Sequence, residues 1–214
     1  MRILIITAVE REREAIGALD NCMVVAGGIG RTNAAAATVE ALLRDGPFDA
    51  VISAGVAGAL PAERGAYPLA IGEAVVASSC VYCEEGLITP AGFQDMAAMG
   101  FPLGDFNGNV VPVDEKLLAS LSGDFRTGTI ATVATCSGTD AAAREVARRS
   151  GGALAEAMEG AAVVHAARRH GVPAIELRVI SNMTGDRDRQ VWDLDRALRA
   201  LGTSVQRAIG LRNM

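Results

Sequence analysis

The chain has 214 residues, a formal net charge of −5, half of its residues hydrophobic and 21% charged. That length can bury a substantial core in one large domain, and an acidic balance with no polybasic run excludes a nucleic-acid binder. No stretch approaches about eighteen uninterrupted strongly apolar residues, so no membrane-spanning helix is expected.

The first apolar run, RILIITAV (2–9), suits a buried parallel strand, and EREREAIGAL turns helical after it. CMVVAGG (22–28) reads as a second strand ending in glycines. RTNAAAATVEALLRDG (31–46) is a helix, with Gly46 and Pro47 as its stop signal. FDAVISAG (48–55) is a third strand that runs into a glycine loop, GVAGAL. Residues 59–113 are less regular. AIGEAVVASSCVYC reads as a long strand and 84–109 as loops. Helix (114–121), strand (127–134), helix (139–149), strand (153–158), helix (160–170), strand (173–181) and helix (193–210) follow.

Strands alternating with helices imply an α/β fold, with a central twisted mixed sheet between helical layers in a three-layer α/β/α sandwich. No composition break or linker divides the chain, so residues 1–214 read as one domain. Ligands of such sheets bind beyond the carboxyl ends of the strands. Those ends carry Glu10 and Glu12, Gly27-Gly28-Ile29-Gly30, Gly55, Thr135-Cys136, Met158-Glu159 and Asn182.

Several chemistries fall away. Lys116 is the only lysine and sits on a predicted surface helix, so neither a Schiff base nor a P-loop is expected. His165 and His170, five residues apart, point about 140° from each other on a helix. No metal site is expected from them. The bland roles are a core-edge residue for His165 and a helix C-terminal cation for His170. Cys22, Cys80, Cys83 and Cys136 read as reduced thiols, and Cys80-Val-Tyr-Cys83 as two strand cysteines rather than a redox pair. The N-terminus lacks the long apolar core of a signal peptide, so a cytoplasmic location is expected. GGIGRTNAAAA resembles a dinucleotide loop, but Asn33 stands at the third glycine position.

The carboxylates say more, because an ionised glutamate is rarely buried without a partner. Glu159 stands at a strand-to-helix junction, where it would either cap the helix or face a ligand, and Arg178 on the next strand is its candidate partner. Glu10, Glu12 and Glu14 follow the first strand, and spacing alone does not say which one faces inward.

AVEREREAI, GGIGRTNAA, SAGVAGAL, MEGAA and LRVISN together resemble the purine nucleoside phosphorylase and nucleosidase superfamily, in an order that covers nearly the whole chain. VYCEEGLITPAGF, the SGT after Cys136 and SNMTGDRDRQVWDL look most like its futalosine hydrolase branch. The resemblance implies that Glu12 activates the attacking water, Met158 packs on the ribose, Glu159 binds the 2′-hydroxyl and Arg178 lies beside the water. Gly55, Val56, Thr135 and Cys136 are expected among the substrate contacts. Asn182 stands where methylthioadenosine nucleosidases use an aspartate on the purine. Asparagine offers both a donor and an acceptor. It suits the O6 and protonated N7 of hypoxanthine, where a mismatched acceptor pair costs about 1–3 kcal/mol.

The same resemblance implies release of hypoxanthine from futalosine in menaquinone biosynthesis, no cofactor, and a homo-oligomer. The rivals are an inosine or guanosine phosphorylase, a methylthioadenosine nucleosidase and, from another class, a nucleotide-binding or sensor domain that binds purine nucleosides without turnover. A phosphorylase needs basic groups on its phosphate. The glycine segments carry only Arg31, for which solvation at the surface is expected. Arg187, Arg189 and Trp192 are candidates to clamp an anionic aromatic tail.

Overall fold

The computed structural model describes residues 1–62 and 65–210. In chain order it contains β1 (Ile3–Thr7), α1 (Glu10–Ile16), β2 (Cys22–Ala26), α2 (Arg31–Asp45), β3 (Ala50–Ala59) and β4 (Ala74–Tyr82). A small hairpin follows, β5 (Gly86–Thr89) with β6 (Gly92–Asp95), then one turn of helix, α3 (Met96–Met99). The rest is β7 (Val110–Pro112), α4 (Glu115–Leu121), β8 (Arg126–Thr132), α5 (Asp140–Arg149), β9 (Ala155–Ala157), α6 (Gly160–Arg169), β10 (Ala174–Met183) and α7 (Leu194–Gly210).

The central sheet is mixed, as expected. β2, β1, β3 and β10 run parallel, and so do β4, β8 and β9. Two antiparallel seams, β10–β4 and β3–β9, join the groups. Because β3 pairs with β1, β10 and β9, the path β3–β10–β4–β8–β9 returns to β3 and part of the sheet closes on itself. Closure joins the far end of β3, at Gly58 and Ala59, to β9, and β10 at Leu177–Val179 to β4.

β1 is buried at all five positions, which explains its unbroken Ile/Leu run. Each fully buried Ile or Leu contributes about 1.5–3 kcal/mol. α2 and α6 pack together, and so do α1 and α7. Gly202 of α7 lets the second pair approach, since a Cβ there would lie 2.3 Å from the Ala15 carbonyl oxygen. No described helix is long and apolar enough to cross a membrane.

Three stretches depart from the sequence reading. The segment expected as the loop GVAGAL is instead the second half of β3, and β10 continues through Asn182 to Met183. The glycines of β3 mark close approach rather than a turn. A Cβ on Gly58 would meet Thr184 at 2.7 Å and the Asn182 amide nitrogen at 3.3 Å. The stretch 84–109, expected as loops, holds the β5–β6 hairpin, whose Gly86 and Gly92 both have positive φ.

Candidate active site

A cavity of about 540 Å³ lies beyond the carboxyl ends of β1, β2, β8 and β9. Its wall is drawn from segments far apart in sequence: Glu12 after β1, Ile29 after β2, Val56 in β3, Cys136 after β8, Met158 and Glu159 after β9, and Asn182 in β10.

Glu12 lies in the first turn of α1 and is buried. Its Oε2 accepts the backbone N–H groups of Ala8 (2.9 Å) and Val9 (3.2 Å), and Oε1 accepts that of Val56 (2.9 Å). Three backbone donors, two just past the end of β1 and one within β3, thus orient one carboxylate without using a side chain. Glu10, by contrast, is exposed and paired with Arg13, so Glu12 is the inward-facing member of the acidic trio.

Glu159 is the N-cap residue of α6, yet its side chain makes no cap to that helix. Its Oε1 accepts the Gly30 N–H (3.0 Å), and its Oε2 accepts that of Met158 (3.2 Å) and lies 3.4 Å from Nη2 of Arg178. The glycine loop therefore delivers a backbone donor to a carboxylate. Gly30, at φ 90°, adopts a conformation that side-chain-bearing residues avoid. Helix α6 is capped instead by Thr132, whose hydroxyl oxygen accepts the Ala161 N–H (2.8 Å).

Arg178 is 1% exposed and lies under the cavity, not on its wall. Its Nε donates to Glu176 (2.8 Å) and its Nη2 to the Ser53 hydroxyl (3.1 Å). Burial opposes its charge, but the carboxylates of Glu176, Glu159 and Glu12 outweigh that and hold its pKa above the usual arginine value. Gly55 makes this packing possible. A Cβ there would lie 2.5 Å from Nη1 of Arg178 and 2.6 Å from Oε1 of Glu12. Gly160, the glycine of MEGAA, gives the same room to Glu176, whose carboxyl group would sit about 2.0 Å from an added Cβ.

Asn182 stands at the other end. Its Oδ1 accepts the Ser181 hydroxyl (2.9 Å), and Nδ2 reaches only the Met183 carbonyl, at 3.4 Å. The β10–β3 register shifts at this point, between Ile180 and Asn182, and a bridge to Trp192 holds the strand end. Nδ2 is thus a donor with little to donate to from within the protein.

At the mouth, the Arg187 guanidinium lies over the Trp192 ring (4.8 Å) and donates to Gln190 Oε1 (3.1 Å), which also accepts the Trp192 indole N–H (2.9 Å). Arg189 does not line the cavity. It is drawn to Asp140 and Asp186 and leaves the clamp suggested by the sequence to Arg187 and Trp192.

The cavity thus brings together Glu12, Val56, Cys136, Met158, Glu159, Asn182 and Arg187. Gly55 and Arg178 lie just beneath it. Thr135 is outside: it is exposed, and its N–H donates to Glu84 (3.2 Å) on the far side of the turn. Arg31 is not solvated as expected but ion-paired with Glu84 and Glu85. His165 is half-buried, edge-on to Phe106 and 3.4 Å from the Tyr82 hydroxyl, away from the cavity. Cys80 and Cys83 are buried and unbridged, the first donating to Glu176.

Glu156 was not singled out by the sequence reading. It is 4% exposed, lines the cavity, and accepts both the N–H (2.7 Å) and the hydroxyl (2.6 Å) of Ser137. Burial, only partly offset by Ser137, raises its pKa above the ordinary carboxylate value. The only sequence signal was an acidic residue inside a short apolar strand.

A family model described as the phosphorylase superfamily matches residues 7–211. The futalosine hydrolase of Streptomyces coelicolor is 36% identical over 231 residues, which cover 96% of this chain and 94% of that protein. Among solved structures, a futalosine hydrolase mutant of Helicobacter pylori superposes with a TM-score of 0.79 at 21% identity, over 98% of this chain and 99% of that one. A mutant of the Helicobacter pylori MTAN with 5′-methylthioadenosine in its active site gives 0.79 at 21% identity, over 98% of both chains. The two structures share the fold.

Proposed function

The chain belongs to the phosphorylase superfamily and, within it, to the futalosine hydrolases, and we propose that it hydrolyses the N-glycosidic bond of futalosine to release hypoxanthine. The observation that carries this reading is the convergence of Glu12, Glu159 and Asn182 on one cavity with Arg178 beneath.

Breaking the bond between C1′ and the purine nitrogen leaves positive charge on the ribose and an electron pair on the base. Glu159, held by Gly30 and Arg178, would accept the 2′-hydroxyl and stabilise the cationic sugar. Glu12 would hold a water and take its proton as the oxygen attacks C1′. Asn182 Nδ2 would donate to O6 as the base departs, with its Oδ1 available to a protonated N7 alongside Ser181. Met158 and Val56 would pack against the sugar and base. Arg187 over Trp192 would receive a tail that is both aromatic and anionic.

Hydrolysis is favoured over phosphorolysis by the fate of the arginines. Arg31 is engaged by two carboxylates, and Arg187 is the one basic side chain among the described lining residues. A phosphate dianion would find no clamp near Glu12. The reading extends to one nucleosidase domain that needs no metal or cofactor, a cytoplasmic homo-oligomer, and a place in menaquinone biosynthesis.

Incubation with futalosine, inosine and methylthioadenosine, with and without phosphate, tests it. The expected result is hypoxanthine from futalosine at a rate that added phosphate does not change. Adenine from methylthioadenosine as the main product, or a strict need for phosphate, would overturn it.

A further inference from the structure

Glu156 is a buried carboxylate on the cavity wall that has no part in the chemistry above. We infer that it reads the N1 edge of the departing purine, accepting the N1–H that a 6-oxopurine carries and a 6-aminopurine lacks. The inference rests on the hydrolase reading for the orientation of the base.

Strand register places it. Asn182 pairs with Gly58 across β10–β3, and Gly58 pairs with Glu156 across β3–β9. Three residues from three strands therefore stand in one row, and all three line the cavity. Gly58 has no side chain, so the two flanking side chains face a common space with only backbone between them. Two strand spacings separate their Cα atoms, about 10 Å. That span fits a purine gripped from adjacent edges, with the short amide of Asn182 at O6 and N7 and the longer Glu156 at N1.

The chemistry matches. A carboxylate has about four lone-pair sites, and Ser137 fills two of them, one on each oxygen. Both Ser137 donors are neutral, which fixes the carboxylate without cancelling its charge, and each oxygen keeps a lone pair for a ligand. Hypoxanthine in its lactam form presents N1–H to such an acceptor. Adenine presents a lone pair at N1, and the two acceptors would face each other. The pair Asn182 and Glu156 thus answers an acceptor at position 6 with a donor, and a donor at position 1 with an acceptor. Glu159 and Glu12 are differently placed, since Arg178 ties both to the other end of the cavity.

Two measurements test this, with folding of each variant checked by thermal melting. In the first, kcat/KM is compared for futalosine and its 6-amino counterpart. Glu156→Gln keeps the shape but presents an amide that can donate to N1 of adenine. The preference for the 6-oxo substrate is expected to fall about 10- to 100-fold. In the second, hypoxanthine and 1-methylhypoxanthine compete as inhibitors. The unaltered protein is expected to prefer hypoxanthine by about tenfold or more, and Glu156→Ala to reduce that preference to about twofold. A purely structural role would lower both substrates or both inhibitors together, leaving the ratios unchanged, and would overturn the inference. If the unaltered protein released no base, the hydrolase reading would fail by itself, while the inhibitor ratio would still decide the role of Glu156.

Discussion

At the Arg178 end of the cavity, a fully buried guanidinium serves Glu176 and Glu159 directly and Glu12 through the field, backbone N–H groups hold Glu12 and Glu159, and the Cys80 thiol holds the second oxygen of Glu176. At the Asn182 end, the polar groups are fixed by neutral donors, the Ser181 hydroxyl on the amide and the Ser137 hydroxyl and N–H on Glu156, and no described arginine is hydrogen-bonded to either. The first arrangement concentrates charge in a low-dielectric place and suits a reaction that builds charge on a sugar. The second leaves specific donors and acceptors unspent and suits recognition of a hydrogen-bond pattern. Charge at one end should govern rate for every substrate, and pattern at the other should govern choice between substrates.

The largest effect is expected from Glu12→Gln, which on the proposed mechanism removes the acceptor for the water's proton. kcat should fall about 10²- to 10⁴-fold for every substrate while KM changes little. Steady-state kinetics showing less than a tenfold loss would remove Glu12 from the chemistry. Next comes Gly55→Ala, which pushes a methyl group between Arg178 and Glu12. A shift of the carboxylate by about 1 Å should cost on the order of 10²-fold in kcat. Purified folded protein with full activity would show that the packing under the cavity is not needed.

At the other end, Asn182→Asp keeps the acceptor that Ser181 addresses but loses Nδ2. The ratio of kcat/KM for futalosine over its 6-amino counterpart should drop about 10- to 100-fold. An equal loss on both substrates would erase the distinction between the two ends. Arg187→Ala at the mouth should raise KM for futalosine about 10- to 100-fold and spare inosine, on the usual cost of a charged hydrogen bond. Equal loss on both would rule the tail clamp out.

The smallest effect is on stability. Glu156 has a raised folded-state pKa, so its contribution is fully present below the ordinary value of 4.5 and is lost as pH rises through the higher folded value. Glu156→Gln should therefore gain in melting temperature relative to the unaltered protein as pH rises from 4 toward 7, by about 2–4 °C per kcal/mol released. A difference independent of pH would contradict the burial-driven shift.

Much of this was legible before folding. An acidic trio after the first strand was visible, but spacing left Glu10, Glu12 and Glu14 undecided; the resemblance pointed to Glu12, and the backbone donors of Ala8, Val9 and Val56 show it to be the one turned inward. Glu159 was visible as a charge between a strand and a helix, and its partner Arg178 as the cation on the neighbouring strand. What misled was the second of the two glycine segments. GGIG and GVAG look alike, but the first is a turn that needs positive φ at Gly28 and Gly30, whereas the second is extended strand. Glycine offers both conformational freedom and the absence of a Cβ, and spacing along the chain does not say which is being used. Thr135 was misplaced because it neighbours Cys136, and a tight turn can send adjacent residues to opposite sides.

By itself the sequence determined the alternation of strands and helices, the presence of carboxylates at the strand ends and the amide at position 182, because periodicity, propensity and hydrogen-bonding capacity are properties of local chain; which carboxylate turns inward it left open. Only the tertiary structure decided that the sheet closes through β3, that Gly55 and Gly58 are empty space for Arg178 and Asn182, and that Glu156 shares a wall with a residue 26 positions away. Those relations arise from strand register, which is set by the packing of distant segments against one another and leaves no mark on residue spacing.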